Sequence, residues 1–181
     1  FFGLAAGYTN STGNYGVALG YQALYKSNAD YNVGIGDQVL YNTTTGTHNV
    51  GLGRAAGLAN TAGSYNIAIG SEALYNNTTA SNNTAVGYQA GYSNTTGGYM
   101  SLLGYQAGYT MTGASVSLTA IGYQAGYNSN ANGNTFIGYQ SGYYITTGAK
   151  NSILGNYNGN QGGLDIRTAS NYIVLSDGDG N

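Results

Sequence analysis

Asn83-Thr84-Ala85-Val86-Gly87-Tyr88-Gln89-Ala90-Gly91-Tyr92-Ser93-Asn94-Thr95-Thr96-Gly97 is one turn of a pattern that fills most of the chain. Its anchor is Gly87, and equivalent glycines stand at 3, 20, 36, 53, 70, 104, 122, 138 and 155, always 16 to 18 residues apart. One residue before the anchor the side chain is apolar in every repeat, from Phe2 and Leu19 to Ile137 and Leu154. Three before it stand Val17, Val33, Val50 and Ile67, then Thr84, Ser101, Thr119, Thr135 and Ser152, with mostly Ala or Gly between the two columns. Large, small, large with period two is a strand signature. Four before the anchor, Asn32, Asn49, Asn66, Asn83, Asn134 and Asn151 recur, a column whose amides can bond along a stack.

After the anchor come Tyr, usually Gln, a small residue, Gly or Leu, and a second Tyr; Asn, Thr, Ser and Gly then close the repeat with turn chemistry. Seventeen residues are too few for a helical hairpin, since helical repeats need more than thirty. The period therefore predicts an all-β chain, a parallel β-solenoid (β-roll) of about ten coils, each with two short strands and two turns. With coils about 4.8 Å apart, the rod is on the order of 50 Å long. The anchor glycine is expected to take positive φ or to press against another backbone. The expected interior is thin: per coil two aliphatics, an Ala, and in places a Leu such as Leu24, Leu40 or Leu74. Such a coil leaves its tyrosines as a long exposed face, which predicts self-association.

Composition narrows the function classes. Of 181 residues 32 are Gly and 20 Tyr, with no Pro, Cys or Trp. Only 6% are charged and the net charge is −2, so no basic surface exists to follow a nucleic-acid backbone. Without cysteine there is no disulfide framework or thiolate metal site. Apolar runs are a few residues long, so no membrane insertion is expected. The chain begins at Phe1 and reads as a segment of something longer.

The titratable groups form no catalytic set. His48 is the single histidine and occupies a column held elsewhere by Tyr31 and Tyr65. Asp30 and Asp37 fall in one coil and recur in no other, which reads as solvated turn more than as a carboxylate pair. Asp177, Asp179 and Asn181 have the spacing of half a calcium loop, without its later ligands. The expectation is a non-enzymatic chain with no metal and no cofactor. Asn10, Asn42, Asn76, Asn77, Asn82 and Asn94 form glycosylation sequons, most of them arising from composition.

The tyrosine columns carry two readings. Tyr21, Tyr88, Tyr105, Tyr123 and Tyr139 follow the anchor, while Tyr92, Tyr109, Tyr127 and Tyr143 stand four residues further on. Residues needed in every coil point to inter-chain packing; aromatic rings beside Asn and Gln also suit a cell-surface glycan, where the pattern breaks. Beyond Gly155 the columns stop. The chain divides into a repeat shaft, 1–163, and a cap or neck, 164–181, expected to hold a short strand pair ending in Tyr172, Ile173, Val174 and Leu175.

The anchor motif of Asn83 to Gly97 and its relatives resembles the head repeats of trimeric autotransporter adhesins (YadA-like heads), and more closely the shaft repeats of bacteriophage tail fibres. The adhesin repeat is a few residues shorter and poorer in Tyr. The resemblance covers about nine-tenths of the chain and implies a left-handed parallel β-roll and a homotrimer. Asn171 to Asn181, Asn-Tyr-Ile-Val-Leu-Ser-Asp-Gly-Asp-Gly-Asn, is similar to the segment that precedes an endosialidase-type intramolecular chaperone. It implies a virion tail fibre used for host attachment; a bacterial surface adhesin or extracellular filament is the alternative, and an ice-binding solenoid a more distant one.

Overall fold

The computed structural model describes residues 1–113 and 117–177. It is all-β, a parallel β-solenoid of about nine turns. Nine strands recur once per coil: β1 (Val17–Leu19), β2 (Val33–Ile35), β3 (Val50–Leu52), β4 (Ile67–Ile69), β5 (Thr84–Val86), β6 (Ser101–Leu103), β7 (Leu118–Ile121), β8 (Asn134–Ile137) and β9 (Ser152–Gly155). A hairpin, β10 (Asn160–Gln161) and β11 (Leu164–Asp165), precedes β12 (Ile173–Ser176). Pairing joins like columns, as in Val17 with Val33 and Ile67 with Thr84, so one ten-stranded sheet runs from β1 to β9 and then to β12. The first repeat joins it through a single parallel bridge, Phe2 to Leu19.

Two expectations about the coil are corrected. Among the described residues each coil carries one strand, not two. In the second half, residues two and four places past the anchor lie at φ near +50 to +65°, among them Gln22, Leu24, Gln106 and Gly126. An extended strand is incompatible with those angles. Coils still bond there: the Gln22 amide donates to Leu4 O at 2.9 Å, and the Leu24 amide to Val39 O at 3.0 Å.

The second correction concerns which side chains face inward. The middle residue of each strand is buried (Ala18, Gly34, Ala68, Ala85, Leu102, Phe136, Ile153), and its neighbours point outward: a large aliphatic on both sides in β1 to β4, and Thr or Ser before it with an aliphatic after it in β5 to β9. The interior has room for about one large side chain per rung and not for the two that flank each middle position, so the middle column goes in, and period two sends its neighbours out. The core is built from that column together with Ala23, Val39, Leu40, Ala56, Leu74, Met111 and Ile145.

Volume is exchanged between adjoining positions of this core. A Cβ on Gly126 or Gly142 would meet the Phe136 ring at 2.9 and 2.7 Å, and one on Gly57 the Leu40 side chain at 2.7 Å. Coils with Leu at the inward turn position (Leu24, Leu74) pair it with Ala18 and Ala68 on the strand; the coil with Phe136 has Gly142.

Polar ladders fix the register. Asn66 and Asn83 are buried, and each donates its backbone amide to the Oδ1 of the preceding Asn in the column, at 3.0 and 3.1 Å. Their Nδ2 groups donate to Ala80 O (2.8 Å) and Gly97 O (3.1 Å) within the same coil. A second buried ladder runs through Asn60, Asn77 and Asn94, with Nδ2 to Oδ1 distances of 3.2 and 2.8 Å.

The short strand pair expected over Leu164 to Leu175 is not formed within that segment: β11 pairs with β10 instead. β12 pairs in parallel with β9, Ile173 opposite Ser152 and Leu175 opposite Leu154, and so adds a rung to the main sheet. Tyr157 and Ile166 are buried in the core, and the Tyr157 hydroxyl donates to Leu164 O at 2.7 Å.

Candidate functional site

Among the described residues, the outer face of the sheet carries a column of apolar side chains that nothing in the chain covers. Phe2, Leu19, Leu52, Leu103, Ile137, Leu154 and Leu175 are exposed in one column, with Ile35, Ile69, Val86 and Ile121 half-buried between them. Val17, Ile67 and Ile173 extend the stripe at the other end of the strand. Parallel strands hold these residues in rows about 4.8 Å apart, so the stripe runs from coil to coil along the sheet. These aliphatics, expected in the interior from the repeat, stand on the outer face instead. Period two is equally consistent with either orientation.

Beyond the glycine corner lie the tyrosines. Tyr88, Tyr105, Tyr123 and Tyr139 stack with ring centroids 5.3, 5.1 and 5.1 Å apart. Tyr75, Tyr92, Tyr109, Tyr127 and Tyr143 stack at 5.0 to 5.2 Å. Tyr8, Tyr25 and Tyr41 form a shorter run of the same column, interrupted by Leu58. Tyr21 stands apart, because its column has Leu4 and Asp37 in the adjoining coils. A third ladder, outside the candidate residues, stacks Tyr15 on Tyr31 and places His48 between Tyr31 and Tyr65 at 4.7 and 4.8 Å.

Stacking decides what the ladders can touch. Within a ladder each ring face lies against the ring of the next coil, and edges and hydroxyls are what remain for solvent. A sugar ring needs an open aromatic face, so the interiors of the ladders offer it none. Burial among neighbouring rings raises the phenol pKa of Tyr92, reinforced by Glu72 and Tyr109, and that of Tyr127, reinforced by Tyr109 and Tyr143.

Beside the tyrosines runs a ladder of amides. Gln140 Nε2 donates to Gln124 Oε1 (3.0 Å), Gln124 to Gln106 (2.9 Å), Gln106 to Gln89 (2.9 Å), and Gln89 to Glu72 Oε2 (2.7 Å). Glu72 is ion-paired with Arg54, so the charges replacing Tyr and Gln in those coils neutralise one another.

The remaining candidates have structural surroundings. Asp30 Oδ1 accepts the Asn14 backbone amide at 2.6 Å, and Asp37 is exposed. Of the half calcium loop, Asp179 and Asn181 lie outside the described residues. Among the described residues no three His, Asp or Glu side chains are grouped to hold a metal, and no helix is long and apolar enough to cross a membrane. Asn77 and Asn94 are buried in the second Asn ladder, which leaves no room for a glycan. Their recurrence seven residues past the anchor was the available signal, hidden by the abundance of Asn. The Thr61 and Thr78 hydroxyls donate to Thr78 O and Thr95 O, both at 3.0 Å, so these side chains are occupied along the stack.

No protein-family model matches the chain, nor does any curated protein or any solved structure.

Proposed function

We propose that the chain is a non-enzymatic segment of a rigid homotrimeric fibre, of the kind that forms phage tail-fibre shafts, holding an attachment site at a distance from a virion. The observation that carries this reading is the uncovered aliphatic stripe from Phe2 to Leu175, backed by tyrosine ladders. A contiguous apolar strip of that length is an association surface. Copies laid side by side would bury it along the whole rod, and a closed ring of copies leaves no edge for further growth. The number three rests on the resemblance to trimeric fibres, as does the virion over a bacterial surface, where the same rod would serve an adhesin.

Sedimentation equilibrium tests this directly. The expected mass is about three times the 18.6 kDa of the chain. Leu103→Asp, on the exposed face of β6, should abolish the trimer while the isolated chain keeps its β spectrum. A wild-type monomer at micromolar concentration would overturn the proposal.

A further inference from the structure

One tyrosine outside the stacked ladders, Tyr144, lies at a cleft. Tyr144 follows Tyr143 and meets it edge-on, at 4.8 Å and 85°, instead of stacking on the next coil. It is 50% exposed. The cleft holds about 340 Å³ and is lined by Tyr144, Asn128, Thr146, Asp165, Arg167 and Thr168. That volume is at the small end of ligand pockets.

Its polar wall is held in place. Arg167 Nε and Nη2 donate to the two carboxylate oxygens of Asp165 at 2.9 and 2.7 Å, and the Arg167 backbone amide donates to Asp165 Oδ1 at 3.1 Å. Asn128 Nδ2 donates to Tyr143 O (2.9 Å), and the Tyr144 amide donates to Asn158 O (2.8 Å), which fixes the backbone carrying the ring. A two-point Arg–carboxylate pair is rigid and has no net charge, yet keeps N–H donors and oxygen lone pairs for a guest.

We infer that this cleft is a subsite for one neutral pyranose ring, packed by its C–H face on Tyr144 and held through adjacent hydroxyls by Asp165, Arg167 and Thr168. A flat apolar face bordered by paired donors and acceptors is the surface a hexopyranose complements. A phosphate or carboxylate would find Arg167 already neutralised. None of the outward sheet residues lines the cleft, so sugar binding and association through the sheet rest on different residues and can fail independently.

Saturation-transfer NMR on the full chain, with the methyl glycosides of glucose, galactose and N-acetylglucosamine as probes, tests this. At least one should bind with a dissociation constant on the order of 1 mM, as a single ring permits. Tyr144→Ala and Asp165→Asn should each weaken it about tenfold or more, while Tyr144→Phe, which keeps the ring, stays within about threefold. Circular dichroism checks that each exposed-site variant is folded. No transfer from any probe at about 10 mM, or transfer unchanged in Tyr144→Ala, would overturn the inference.

Discussion

The anchor glycines are where a single residue governs the solenoid. Gly87 has φ of +138°, and a Cβ added there would strike the carbonyl of Gly104, its counterpart one coil on. Backbone cannot withdraw as a side-chain tip can. Gly87→Ala should destabilise the chain by about 3 kcal/mol or more, read as a lowered urea midpoint. Gly91→Ala is the contrast. Its φ is +64°, its added Cβ meets only the tips of Leu74 and Leu102, and Leu24, Leu40 and Leu74 occupy the same column. It should lose about 1 kcal/mol. Equal losses at both glycines would refute the backbone argument.

At the scale of the coil, stability depends on how neighbouring positions share a narrow interior. Phe136 is fully buried in β8, with Gly126 and Gly142 giving up volume on either side of its ring. Phe136→Ala should lose about 3–5 kcal/mol through the cavity it leaves. Adding Gly142→Leu to that variant reproduces the combination of Ala68 and Leu74, and should restore about 1–2 kcal/mol. Equilibrium denaturation of the two single variants and the double variant measures the coupling; strict additivity would show that the glycine does not make way for the ring. The Asn ladders act at this scale too, since a buried Asn serves its own coil through Nδ2 and the next through Oδ1. A shift of one residue in register would strand both groups.

For the whole molecule the scarcity of charge sets the response to pH. Six carboxylates and four cations leave little to titrate near neutrality. Hydrogen bonds from Arg167 lower the pKa of Asp165. Its small contribution is therefore present above the ordinary carboxylate value and lost as pH falls through the lowered one. Tyr92 and Tyr127 are raised above 10.0 by burial, as is Tyr157, where nearby Asp165 adds to the effect. Their contribution is complete below that value and disappears as pH climbs through the raised one. Thermal midpoints should be nearly flat from about pH 5 to 9 and fall above about pH 10 as the stacked phenols ionise. A steep loss between pH 5 and 7 would contradict this. Salt should matter little over the same range.

Period, strand position and anchor were legible in the chain because each coil repeats the same contacts: every rung from Val17 to Leu154 pairs with its own equivalent, and the pattern of 17 residues is the pairing register itself. The outward turn of the aliphatics was not legible, since alternation fixes which residues share a face without saying which face meets the core. That was decided by the width of the coil. Positive φ at Gln22 and Leu24 closes the second half of each repeat into turns, and the space left admits Ala18 or Gly34 but not Val17 with Leu19. The placement of Tyr144 beside Asp165 and Arg167 was equally hidden. It depends on β10 and β11 folding back so that residues some twenty positions apart line one cleft.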